Sequence, residues 1–114
     1  MGIVRHEPGP TLSRATAFHH WIFLSGTTAD DTSVGIQEQT RQVLTKIDRY
    51  LAMAGSDKSG LLSATVFLAD LSQRAEMDQV WTSWLHPDIA PPRTCLGATL
   101  DGKALVEIMA IARD

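Results

Sequence analysis

Pro91-Pro92-Arg93-Thr94-Cys95-Leu96-Gly97-Ala98-Thr99-Leu100-Asp101-Gly102-Lys103-Ala104-Leu105-Val106-Glu107-Ile108-Met109-Ala110-Ile111-Ala112 is the stretch that decides the fold. Its two prolines stiffen the entry to a strand over residues 93–100, and residues 105–112 form a second. Asp101-Gly102-Lys103 between them carries the Asp-Gly signal of a tight hairpin turn. Side chains alternate across a strand, so Val106, Ile108, Ala110 and Ala112 share one wholly apolar face. Leu96, Ala98 and Leu100, with Thr94, do the same on the strand before it. Those faces are expected to form the core. The opposite faces carry Arg93, Cys95, Gly97 and Thr99 on one strand and Leu105, Glu107, Met109 and Ile111 on the other. That second surface is too apolar for open water, yet it holds two chargeable groups.

Reading outward, residues 61–69 form a third strand, with Leu62, Ala64, Val66 and Leu68 on its core face. Asp70 and Leu71 lead to Ser72, an expected helix N-cap, and Met77, Val80, Trp81 and Trp84 then repeat at i, i+3, i+4 and i+7. His86-Pro87 ends that helix, because a residue before proline avoids the helical region. A longer helix spans residues 35–53, with Val43, Leu44, Ile47 and Leu51 inward and Gly55 as its stop. Residues 13–25 read as two short strands around a His19-His20 turn, and Glu7-Pro8-Gly9-Pro10 as a turn or loop, with a further short strand at residues 3–5. The expected order is β-β-α-β-α-β-β in one α+β domain over residues 1–114, a mixed sheet with two helices on one face. Two helices cover only one side of such a sheet, so the second side is expected to meet another subunit.

Composition narrows the function classes. The chain is 44% apolar and 20% charged with a formal net charge of -3, which offers no electrostatic reason to bind nucleic acid or an anionic membrane. Its single cysteine, Cys95, permits neither an intrachain disulfide nor a CxxC zinc site. The apolar stretches fall far short of the roughly 20 residues needed to span a bilayer, and the opening residues lack the apolar run of a signal peptide. The expectation is a cytoplasmic protein with no membrane and no nucleic-acid partner.

Arg93 is the sharpest candidate for chemistry, since a guanidinium is a planar fork of donors matched to a carboxylate. The competing reading is a structural ion pair with Glu107. Glu107 itself sits in an otherwise apolar strand, which costs free energy unless the carboxylate pairs or orients a water. Cys95 reads as a buried, unreactive thiol, and Ser25-Gly26 either presents backbone donors to a ligand or simply ends a strand. His19 and His20 are adjacent, which is poor metal-ligand spacing, and no HExxH, P-loop, GxGxxG or GxSxG motif occurs.

The stretches Pro91–Cys95 and Val106–Ala112, with Ser25-Gly26, residues 38–44, Ala54-Gly55 and residues 65–70, resemble the Rid (YjgF-like) family of reactive-intermediate deaminases. Residues 55–59 and 80–84 look closest to its YoaB-like branch. The resemblance implies a homotrimer of chorismate-mutase-like subunits with clefts between them. It also implies hydrolysis of enamines and imines, such as 2-aminoacrylate, to 2-keto acids and ammonia, with no metal or organic cofactor. Carried over by residue, Arg93 holds the substrate carboxylate, Glu107 positions the attacking water, and Cys95, Ser25 and Gly26 line the pocket. Three positions depart from the pattern. Thr11 and Leu12 follow Gly9-Pro10 in place of an aromatic residue, Met109 replaces a second acid, and Asp78 stands where many members have asparagine. An Asp78 that reaches the cleft would pair with Arg93 and oppose a carboxylate. A non-catalytic protein that binds or senses keto acids is the alternative reading.

Overall fold

A computed structural model describes residues 2–114. The strands are β1 (Val4–Pro8), β2 (Ser13–Phe18), β3 (Trp21–Thr27), β4 (Leu61–Leu68), β5 (Arg93–Gly97) and β6 (Val106–Arg113). Helix α1 (Ile36–Met53) follows β3, and α2 (Arg74–Trp84) joins β4 to β5. The six strands form one sheet in the order β1-β2-β3-β6-β4-β5. Every pair is antiparallel except β4 with β5, which is parallel because α2 carries the chain back across the sheet. The expected α+β element order holds, with the short N-terminal strand realised as β1 and extended into Pro8. Proline is tolerated there because β1 lies at the sheet edge.

Both helices pack on one face of the sheet. Val43, Leu44, Ile47 and Leu51 of α1 and Met77, Val80 and Trp81 of α2 are buried against Ala64, Val66 and Leu68 of β4 and Val106, Ile108, Ala110 and Ala112 of β6. Gly55 ends α1 as expected: at φ +83° it lets its own N–H donate to Ala52 O and the Ser56 N–H donate to Leu51 O. The cap before α2 differs from expectation. Asp70, not Ser72, is the capping side chain, accepting from the Ser72 N–H at 3.0 Å at the start of a 3-10 turn over Leu71–Gln73 that runs into α2.

Three further expectations fail for physical reasons. Leu62 is 38% exposed because β4 bulges against β6 between Leu61 and Ser63, so Leu61 takes its place in the core. Asp101-Gly102 does not close a hairpin between β5 and β6. The Ala98 N–H donates to Leu68 O, and the Ala69 N–H donates to Leu105 O. Residues 98–105 therefore loop around the end of β4 and deliver β6 to its other side. Strand β5 ends at Gly97 and is an edge strand, and its Thr94 and Leu96 are exposed rather than in the core.

Gln39 holds this connection in place. Wholly buried on α1, it accepts from the Leu105 N–H at 2.9 Å and donates to Val34 O at 2.9 Å and Lys103 O at 3.4 Å. A Gln39→Leu substitution strands those backbone groups without partners, at a cost of about 1–3 kcal/mol. Its urea midpoint should fall accordingly, and an unchanged midpoint would contradict this role.

Candidate functional site

Strand register decides where the candidate residues go. Arg93 pairs with Ala64 and Cys95 with Val66, and both partners point into the core, so Arg93 and Cys95 emerge on the helix face beside α2. Glu107 pairs with Phe67, which in turn pairs with Leu96, and all three emerge on the uncovered face. The expectation that Arg93, Cys95 and Glu107 share one face is thus corrected. The parallel pairing of β5 with β4, in place of the hairpin, sets its register and puts its odd-numbered residues under α2.

On the helix side, Asp78 reaches from α2 so that its Oδ1 lies 2.7 Å from Arg93 Nη1. Their side chains are 35% and 20% exposed. Asp78 Oδ1 is shielded from water, with the guanidinium as the charged group against it. The indole of Trp81 supports the guanidinium from beneath, with Cζ 5.1 Å from the ring centroid. The structural ion pair considered for Arg93 therefore exists, with Asp78 as its partner and not Glu107. Cys95 is half-buried beside them. Burial pushes its thiol up from the usual 9.0, Arg93 and Arg74 pull it down, and Asp78 pushes it up. The upward balance fits the reading of Cys95 as a neutral wall rather than a nucleophile.

On the uncovered side, β3 and β6 lose register between Leu24 and Thr27, which places Ser25-Gly26 in a bulge. The Glu107 carboxylate lies directly over Gly26: a Cβ there would overlap Glu107 Oε2 and come to 3.1 Å from Cδ. Glycine is needed here for space. Among the described residues no cation lies within ion-pair distance of Glu107. Ser25, Gly26 and Glu107 form one cluster, and Arg93, Asp78 and Cys95 form another.

The sheet separates the two clusters within the chain. Sequence reasoning missed Trp81 as the support under Arg93, because its helical spacing marks it as core, which it also is. Two hollows lie elsewhere. One of about 500 Å³ is lined by Glu7, Pro8, Leu12 and Arg14, and another of about 440 Å³ by His6, His19, Met53 and Asp114. His19 and His20 occupy the expected turn, His19 at φ +55°, and His20 Nδ1 lies 2.8 Å from Asp114 Oδ1. No helix is long and apolar enough to cross a membrane among the described residues.

Comparison with known proteins agrees with this architecture. The family model described as Endoribonuclease L-PSP matches residues 4–114. The chain is 37% identical to a RutC family protein of Haemophilus ducreyi over 86% of this chain and 84% of that one. It is 34% identical to the RutC family protein YoaB of Escherichia coli over 98% of both. A Neisseria meningitidis member of the YjgF protein family superposes with a TM-score of 0.94 at 38% identity, covering 100% of this chain and 96% of the other. A Mycobacterium tuberculosis member of the YjgF/YER057c/UK114 family superposes with a TM-score of 0.90 at 24% identity, over 99% and 100% of the two chains. In sequence and in fold the chain belongs to the Rid (YjgF, or L-PSP) family and is similar to its YoaB members.

Proposed function

We propose that this protein is an imine and enamine deaminase that hydrolyses 2-aminoacrylate-type compounds to 2-keto acids and ammonia, in clefts completed between the subunits of a homotrimer. The observation that carries this reading is the pair of separated clusters. Arg93 and Cys95 lie at the edge of the helix face, whereas Glu107 and Ser25-Gly26 lie on the uncovered face. A carboxylate anchor and a water-positioning carboxylate act on one small molecule only if two protomers each supply one of them. The uncovered face favours such an assembly. Trp21, Phe23 and Met109 expose 52%, 45% and 39% of their surface on it, beside Leu96. Apolar surface of this extent on a sheet is stabilised by burial against another subunit.

In this mechanism Arg93 of one protomer grips the substrate carboxylate, and Glu107 of the next aims a water at the imine carbon. The enamine first tautomerises to the imine. The water oxygen then bonds to that carbon while Glu107 accepts a proton and returns it to nitrogen. The hydroxyl proton of the adduct then passes to the nitrogen, the C–N bond breaks, ammonia leaves, and the carbon becomes the ketone of a 2-keto acid. The imine carbon is already electrophilic, so positioning and proton transfer supply the acceleration. The neutral Cys95 thiol and the backbone of Ser25-Gly26 shape the pocket.

The family description names an RNA-cleaving activity, but a net charge of -3 provides no electrostatic footprint for a polyanion. The alternative is a binder of small carboxylates that does not turn over imines, and Arg93 pairing with a side-chain carboxylate is the observation that fits it.

An assay with freshly generated 2-aminoacrylate, reading ammonia or keto acid release, separates the two. Arg93→Ala should leave the oligomer intact and weaken carboxylate binding by about 10- to 100-fold, with turnover falling in step. Unchanged turnover removes the mechanism, and stabilisation by keto acids without faster ammonia release assigns the binder. Gly26→Ala displaces the Glu107 carboxylate and should lower kcat with little change in KM. An unaffected kcat would remove Glu107 from the chemistry.

A further inference from the structure

We propose that Asp78 makes this site selective for zwitterions, that is, for small carboxylates bearing a protonated nitrogen beside the acid group. The inference rests on the reading of Arg93 as a carboxylate anchor, and it names the charge type of the substrate.

The argument begins with the ion pair. Arg93 Nη1 and Asp78 Oδ1 are 2.7 Å apart and that oxygen is shielded from water, while the Asp78 side chain as a whole is partly exposed. A carboxylate has about four acceptor sites on two oxygens, and Arg93 lies against only one of those oxygens. Arg93 is supported independently by the Trp81 ring at 5.1 Å, so the guanidinium has a second partner when Asp78 gives way. The third neighbour, Cys95, stays a neutral thiol and contributes no compensating charge.

A simple keto acid entering this arrangement brings a second negative group to one guanidinium. Either the ligand or Asp78 then loses its counter-charge in a partly buried place. A ligand with its own cation beside its carboxylate has no such conflict. Its acid group meets Arg93, and its nitrogen donates to the second carboxylate oxygen of Asp78, the one not held against the guanidinium. The iminium form of a 2-imino acid is the reactive member of that class. Hydrolysis adds the water oxygen to the iminium carbon and expels the nitrogen as ammonium, leaving a 2-keto acid. The cation that matched Asp78 departs with the ammonium, so the same carboxylate that favours the substrate disfavours the product.

The test is calorimetric titration of the purified oligomer with L-alanine and with pyruvate, which share one carbon skeleton and differ in the charged nitrogen. The unaltered protein should bind alanine at least about tenfold more tightly than pyruvate, and Asp78→Asn should reverse that order. Equal binding, tighter pyruvate binding in the unaltered protein, or a ratio unchanged in Asp78→Asn overturns the proposal. The ranking in the unaltered protein decides even where the variant folds poorly, and Asp78→Ser offers a second removal of the charge. Arg93→Ala and the imine assay keep the two readings apart. Pyruvate preferred in an Arg93-dependent manner sinks the role of Asp78 and leaves the carboxylate anchor standing. The alanine preference without ammonia release keeps the role of Asp78 and removes the hydrolase. Binding of neither ligand overturns the selectivity.

Discussion

Consecutive residues of a strand face opposite ways, and β4 lies hydrogen-bonded between β5 and β6. Because Arg93 and Cys95 pair with the core residues Ala64 and Val66, they come out under α2. Because Glu107 pairs with Phe67, it comes out on the other side of the same sheet. The thickness of the sheet lies between the guanidinium and the carboxylate. Every functional statement about this molecule follows from how that separation is bridged, and an adjoining protomer is the bridge we propose.

The same register explains why each cluster is built as it is. Arg93 lies where a charge is partly desolvated, and the fold supplies both an indole and a carboxylate to hold it. Glu107 instead lies among apolar neighbours on the uncovered face, folded over a glycine that leaves room for it and with no cation in reach among the described residues. One half-site is thus electrically closed and the other open. In the assembly we propose, the open carboxylate lies near a carbon whose acid group is held by the other half-site, the arrangement that imine hydrolysis needs.

Much of this was legible in the sequence. The period-2 pattern of Val106 to Ala112, the helical stripes of α1 and α2 and the Gly55 stop all specify their elements locally, and the two-faced sheet follows from them. The strand pairing was not legible. Asp101-Gly102 is a good turn, with Gly102 at φ +58°, but a local signal cannot say that the turn wraps the end of β4 instead of joining neighbours. That one error moved Arg93 and Cys95 to the wrong face and Leu96 to the core. The bulge that exposes Leu62 is likewise a property of two strands rather than one. At the site, Arg93 and Glu107 stood out because charge is rare in such strands, and the ion pair of Arg93 was foreseeable in kind. Its partner Asp78 came into view only through the family resemblance and only on condition that it reach the cleft, since it lies one helix away and the crossover of α2 brings it near.

The shared cleft is tested most directly by mixing. Protomers carrying Arg93→Ala are unfolded and refolded together with protomers carrying Glu107→Ala, and imine hydrolysis by the mixed oligomers is compared with that of each variant alone. If the site spans two subunits, random assembly of equal amounts restores about a quarter of full activity, because some clefts receive an intact Arg93 from one protomer and an intact Glu107 from the next. Mixed oligomers as inactive as either parent would contradict the account.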